Sequence, residues 1–251
     1  TVGGPLASVI LVTVLLSLAA AEYCESLRKA GYHPPTLLVI ASVACLSLAA
    51  YNEGDQGIGV VLFLTVVFSG LWYLTGVGEQ APLANIGAGL LGVVWIGVLG
   101  AYASVMLWFE GDTGLLAAAV IATVAHDVGA LLTGRAMGRQ PLTPVSPNKT
   151  VEGLIGGMAS TVVVTVVLVA IVPKVAPLGE GPGGLFDTLV FAVVAAIVAP
   201  LGDLFQSLLK RDLGIKDMGS ILPGHGGFLD RFDALLFVLP TTYFMARLLL
   251  L

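Results

Sequence analysis

The stretch Gly184–Lys210, GLFDTLVFAVVAAIVAPLGDLFQSLLK, decides in which solvent this chain folds. Its centre, Leu189 to Leu201, is Val, Ala, Leu, Ile and Phe with a single proline. With its flanks it exceeds the roughly 20 mostly apolar residues that cross a bilayer as a helix. The rest of the chain has the same character. Its 251 residues hold only 11 basic and 16 acidic side chains, 11% charged against 57% hydrophobic, where a globular protein carries roughly 25% charged residues. The mean hydropathy is +0.99. One core could not hide so much apolar surface, so the bilayer is the solvent and the fold class is all-α, a polytopic membrane protein. A net charge of −5 repels a polyanion and excludes nucleic acid as a partner. Cys24 and Cys45 make neither a disulfide framework nor a Cys-rich metal site, and read as packing thiols.

Breaks at Gly, Pro and charge clusters divide the chain into eight spans: Pro5–Ala21, Pro35–Tyr51, Gly57–Thr75, Leu83–Phe109, Gly114–Met137, Thr150–Val172, Gly184–Lys210 and Asp230–Leu251. The first lacks the basic flank of a cleaved signal peptide. Loops after odd-numbered spans collect Arg28, Lys29, Arg135, Arg139, Lys149, Lys210, Arg211, Lys216 and Arg231, nine of the 11 basic residues. By the positive-inside rule these loops face the cytoplasm, with both chain ends opposite. Residues 1–110 read as apolar membrane helices, and 111–251 as the region holding the chemistry. Ala84, Ala88 and Gly92, and Gly153 and Gly157, are spaced for close helix packing.

An ionisable side chain inside hydrocarbon costs about 2.5–3.5 kcal/mol on insertion scales, so it persists where a partner, a cavity or a function compensates. Asp127 lies near the middle of the fifth span and is either capped by a helix neighbour or part of a polar cavity reached from the cytoplasm; His126 beside it reads as packing. Asp203 follows Pro200-Leu201-Gly202, which looks like a helix break lining a cavity. Asp203, Ser207, Lys210 and Arg211 then share one helical stripe. Asp230 and Asp233, at i, i+3, fall on one face at the start of the eighth span, where two stacked acids repel unless a cation separates them. Together Asp203, Asp230 and Asp233 are hard oxygen ligands suited to Mg²⁺ bound partly through water and substrate phosphates. The intervening loop adds Lys216, His225 and Arg231 as positive charge, and Gly224, Gly226 and Gly227 let backbone N–H groups approach an anion. Phosphate is the natural guest. A second anion site is expected at SPNKTVEG (146–153), with Ser146 as N-cap, Pro147 at N1 and Lys149 as a point charge; ordinary capping and the positive-inside rule explain the same residues.

The run SLLKRDLGIKDMGSILPGHGGFLDRFD (Ser207–Asp233) resembles the signature of phosphatidate cytidylyltransferases, the CDP-diacylglycerol synthases. SPNKTVEG resembles the family's Ser-Pro-x-Lys-Thr-x-Glu-Gly segment. Asp127-Val-Gly-Ala130 with Gly134-Arg135 resembles its Asp-x-x-Ala-Tyr-x-x-Gly-Arg segment, except that Leu131 stands at the usual aromatic. The resemblance covers about residues 120–240.

It implies transfer of CMP from CTP to phosphatidic acid, giving CDP-diacylglycerol and pyrophosphate for phospholipid synthesis. In that reading Asp203, Asp230 and Asp233 hold Mg²⁺, with Mn²⁺ as a substitute and K⁺ or Mg²⁺ as a second cation. Lys210, Arg211 and His225 join the three acids in catalysis. Ser146, Lys149, Ser207, Lys216, Gly226, Gly227, Arg231 and Asp127 contact substrate. The partners are CTP, phosphatidic acid and membrane lipids, and the resemblance implies a homodimer in the plasma membrane with its site facing the cytoplasm. Two alternatives stay open: a CTP-dependent lipid or polyprenol kinase, which releases CDP, and a secondary transporter using Asp127 and Asp203 near helix breaks.

Overall fold

The computed structural model describes residues 4–76, 81–110, 114–171, 184–219 and 226–250. It contains the helices α1 (Gly4–Lys29), α2 (Thr36–Glu53), α3 (Asp55–Leu74), α4 (Pro82–Gly92), α5 (Leu99–Glu110), α6 (Gly114–Met137), α7 (Val151–Ile171), α8 (Leu185–Asp212) and α9 (Asp233–Leu250). A π-helical segment, Val93–Val98, joins α4 to α5 as one rod. Among the described residues seven helices are long and apolar enough to cross a membrane. They correspond to the first seven expected spans, and α9 stands at the eighth. The polytopic all-α expectation is met, with one small addition: β1 (Pro141–Thr143) and β2 (Ser146–Thr150) pair as an antiparallel hairpin.

Two compact units emerge, Thr1–Gly111 with Asp212–Phe232, and Asp112–Arg211 with Asp233–Leu251.

In the first unit, polar side chains bridge helices where hydrocarbon offers no other partner. Thr13 and Ser47 hydroxyls lie 2.9 Å apart, Ser47 and Ser104 2.9 Å, and Thr65 donates to Ser42 at 2.9 Å. The Tyr23 ring meets Trp95 edge-on at 6.0 Å, and its hydroxyl donates to the Ala88 carbonyl at 3.0 Å. Gly92 lies against that ring and Gly97 against Leu46, so small residues admit large neighbours. Cys24 is buried as expected; Cys45 is exposed on the outside of α2, so it is not a packing thiol. The outer face of α3 exposes Val60, Phe63, Phe68 and Leu74, the surface a bilayer would cover.

In the second unit α6 and α7 form a tight pair. A Cβ on Gly157 would come within 2.9 Å of the His126 carbonyl oxygen, and one on Gly153 within 3.0 Å of the Ala130 carbonyl oxygen. His126 is buried there, consistent with its packing role.

Three local expectations need correction. Ser146 does not cap a helix: residues 146–150 are committed to the hairpin, the Val151 N–H donates to the Gln140 carbonyl at 2.9 Å, and the Thr150 hydroxyl takes the cap by accepting the Gly153 N–H at 3.1 Å. Pro200 does not break its helix: α8 runs continuously from Leu185 to Asp212 with the proline inside it. Gly202 serves a helix contact instead, since a Cβ there would lie 2.5 Å from the Asp233 carbonyl oxygen and 2.9 Å from the Ala234 Cα. Finally, α9 begins at Asp233, and Asp230 lies in a preceding 3₁₀ turn, Leu229–Arg231. The two acids therefore do not share a helix face.

The glycine contacts are testable by contrast. Gly157→Ala forces a methyl onto backbone and should cost about 1–3 kcal/mol, read as a lower thermal midpoint in detergent. Gly59→Ala on α3, with nothing within 4 Å, should be neutral or stabilising by about 0.5–1 kcal/mol from helix propensity.

Candidate active site

In the second unit charge gathers around one ammonium. Lys149, near the end of β2, places its Nζ in contact with the Asp203 Oδ2 of α8, and both side chains are about one-third exposed, 29% and 32%. Burial pushes the Lys149 ammonium down to about 8, Asp233 and Asp127 pull it back up, and Lys210 lowers it further. Four elements thus converge on it: β2 supplies the cation, α8 Asp203 and Lys210, α9 Asp233, and α6 Asp127. Asp233 is 9% exposed and its Oδ1 accepts the Ala234 N–H at 2.7 Å. Asp127 is exposed rather than enclosed, which favours an open polar site over a capped acid. Ser207, one turn beyond Asp203, is buried.

The Arg211 Nε donates to the Val145 carbonyl at 3.1 Å, tying the hairpin turn to the end of α8. Glu152 steadies the hairpin from the other side, accepting the N–H groups of Arg139 and Gln140 at 3.0 and 3.3 Å. Ser146 is half-buried in the hairpin and Leu131 is 50% exposed.

In the first unit the signature segment is built around two acids. Asp230 Oδ2 accepts the Met218 N–H at 3.2 Å and the Gly227 N–H at 3.0 Å, drawing together the two described flanks of the loop. Glu22 of α1, 1% exposed, accepts the Phe228 N–H on Oε1 at 2.9 Å and the Leu229 N–H on Oε2 at 2.7 Å. Ser26, one turn further, donates to the Met218 carbonyl. Gly226 adopts φ +81°, a region open to glycine, and Lys216 and Arg231 are exposed. His225 lies outside the described residues.

The sequence-predicted residues therefore divide. Asp127, Lys149, Asp203, Lys210 and Asp233 are brought together in the second unit, and Asp230, Gly226 and Gly227 in the first. Among the described residues no group of three or more His, Cys, Asp or Glu forms a metal cage. The donor set of the second unit nonetheless suits a hard cation, because an ammonium already sits where carboxylates converge, and Mg²⁺ takes one or two carboxylates alongside phosphate oxygens. Two residues were missed. Glu22 falls one residue beyond the first expected span, which ends at Ala21, whereas α1 continues two more turns to Lys29. Gln206 is fully buried on α8 with neither side-chain amide atom partnered among the described residues, and only its place between Asp203 and Lys210 signals it.

Comparison with known proteins agrees with these features. The cytidylyltransferase family matches residues 1–249. A phosphatidate cytidylyltransferase of Helicobacter pylori is 35% identical over 229 residues, covering 89% of this chain and 77% of that protein. One from Mycobacterium tuberculosis is 32% identical over 243 residues, covering 91% and 71%. One from Staphylococcus saprophyticus is 45% identical over 115 residues, covering 45% and 42%. With a match across nearly its whole length, and with the signature acids seated in ordered polar environments, this chain belongs to the cytidylyltransferase family.

Proposed function

We propose that this membrane protein is a phosphatidate cytidylyltransferase, transferring CMP from CTP to phosphatidic acid to give CDP-diacylglycerol and pyrophosphate. The observation that carries the reading is the Lys149 ammonium held on Asp203 with Asp233, Asp127 and Lys210 around it, in a chain whose relatives bear that name. A phosphate oxygen of phosphatidic acid attacks the α-phosphorus of CTP; the bond from that phosphorus to the oxygen bridging to the β-phosphate breaks, and pyrophosphate leaves with the electron pair. The attacking oxygen is already ionised at neutral pH, so no side chain need remove a proton.

The obstacle is repulsion between two polyanions at a bilayer surface. Lys149 and Lys210 supply cations to phosphate oxygens, and Asp203 and Asp233 are the proposed Mg²⁺ ligands, with Asp230 as a third on its place in the signature. These carboxylates would hold a Mg²⁺ or Mn²⁺ ion, which would supply charge neutralisation to the transferring group and the departing pyrophosphate. Gly226 and Gly227 leave backbone room for phosphate, Lys216 and Arg231 add positive charge, and Arg211 fixes the hairpin that carries Lys149. The basic loops support an orientation with the site facing the cytoplasm of the plasma membrane.

Purified protein in detergent is expected to release pyrophosphate only when CTP, phosphatidic acid and Mg²⁺ are all present. Asp203→Asn should lower that rate by roughly 100-fold or more. Release of CDP in place of pyrophosphate would move the protein to the kinase reading, and exchange of a solute across liposomes without CTP to the transporter.

Lys149 provides a check independent of turnover. In metal-free protein its acylation rate, followed by peptide mass spectrometry, should rise as the ammonium deprotonates with a midpoint near pH 8. Asp127→Asn removes an attraction and should shift the midpoint down; Lys210→Met removes a repulsion and should shift it up.

A further inference from the structure

We propose that Glu22, in the first membrane helix, is a positioning residue for the signature segment, and that its grip on the Phe228 and Leu229 amides, beside Gly219 and Gly227, sets the affinity for CTP. The proposal rests on the cytidylyltransferase reading above and assigns a role in that reaction to a helix that otherwise reads as apolar filler.

A carboxyl group in a membrane helix is expensive unless its oxygens are satisfied. Glu22 is 1% exposed, and each oxygen takes one backbone N–H from adjacent residues, Phe228 at 2.9 Å and Leu229 at 2.7 Å. Those amides open the 3₁₀ turn Leu229–Arg231, where N–H groups have no partner within the turn and require an outside acceptor. The same carboxyl closes the space beside both flanks of the loop. A Cβ on Gly219 would collide with it, and one on Gly227 would lie 3.1 Å from its Oε2. Ser26, on the same face of α1, holds the Met218 carbonyl, while Asp230 joins the Met218 and Gly227 amides. Two acids and one hydroxyl thus hold Met218 and Gly219 beside Gly226–Leu229, where Gly226 and Gly227 leave room for phosphate at their own backbone. Asp230 lies in the signature itself; Glu22 comes from a helix about 200 residues earlier in the chain, with a sequence separation of 206 to Phe228.

The geometry makes the acid specific. Glutamine offers one oxygen and one amino group, so one of the two N–H donors would face another donor. Aspartate is one methylene shorter and cannot reach both.

The test pairs hydrogen exchange with kinetics on the full-length protein in detergent. In Glu22→Gln the amides of Phe228 and Leu229 should lose protection while peptides of α6 and α7 keep theirs, showing that the variant is folded. The KM for CTP should rise about tenfold or more, the scale of a lost hydrogen bond to a charged group, with the KM for phosphatidic acid little changed. Ser26→Ala should move both readouts the same way, more weakly, by a few-fold. Unchanged protection at Phe228 and Leu229 overturns the proposal, and so does lost protection with an unaltered KM for CTP. A wild-type protein that releases no pyrophosphate would sink the reaction reading instead, and the exchange measurement would still decide whether Glu22 holds the loop.

Discussion

An acid at the edge of a hydrocarbon layer must be given donors or a cation by the protein itself, because the bilayer supplies neither. Much of the polar architecture follows from that demand. Glu22 and Asp230 are satisfied by backbone N–H groups, Asp203 by the Lys149 ammonium, and Asp233 by the Ala234 N–H. Two of these solutions recruit a distant stretch of chain: the Phe228 and Leu229 amides are brought onto α1 to satisfy Glu22, and the hairpin carries Lys149 to α8 to neutralise Asp203. Charge satisfaction therefore positions the loops, and the apolar helices provide the frame on which that positioning is possible.

The frame depends on close packing in turn. In a bilayer, helices gain little by hiding apolar surface from one another, so contact depends on van der Waals fit and on hydrogen bonds between small polar residues. The Thr13, Ser47 and Ser104 chain in the first unit and the Gly153 and Gly157 contacts between α6 and α7 in the second are two forms of that rule. The π-helical turn at Val93–Val98 carries the fully buried Trp95 that Tyr23 meets edge-on. Tyr23 precedes Cys24 and follows Glu22, so the packing that seats α1 also sets the height of the acid beside it.

Much of this was legible in the sequence because the bilayer imposes a length and a composition that survive in a single chain. Seven of the expected spans have corresponding long apolar helices, and Lys149, Asp203 and Asp233, which stand out in the sequence as charges beside apolar spans, converge in the second unit. What failed were inferences from local grammar. Ser-Pro before a helix resembles a cap and its first turn, yet strand pairing claimed those residues and moved the cap to Thr150. Pro200 and Gly202 resemble a break, but the helix tolerates the proline, and the glycine answers to α9 rather than to a cavity. Glu22 was invisible because hydropathy ends a span where charge begins, whereas a helix ends where its backbone does.

The acids also differ in how firmly they are committed. A carboxyl oxygen bonded to backbone amides has partners fixed by the fold, and releasing them would unmake the loop; that is the situation of Glu22 and of the Oδ2 of Asp230. Asp203 is different, since its partner is an ammonium at the end of a flexible four-carbon stem, a point charge with no fixed fork geometry. In the proposed reaction Lys149 would give up that carboxylate for a phosphate oxygen without disturbing a backbone hydrogen bond, leaving Asp203 free to accept the proposed cation. The structure thus separates acids that build the loop from an acid whose partner can be exchanged, and exchange of cations among anions is what bringing two phosphates together requires.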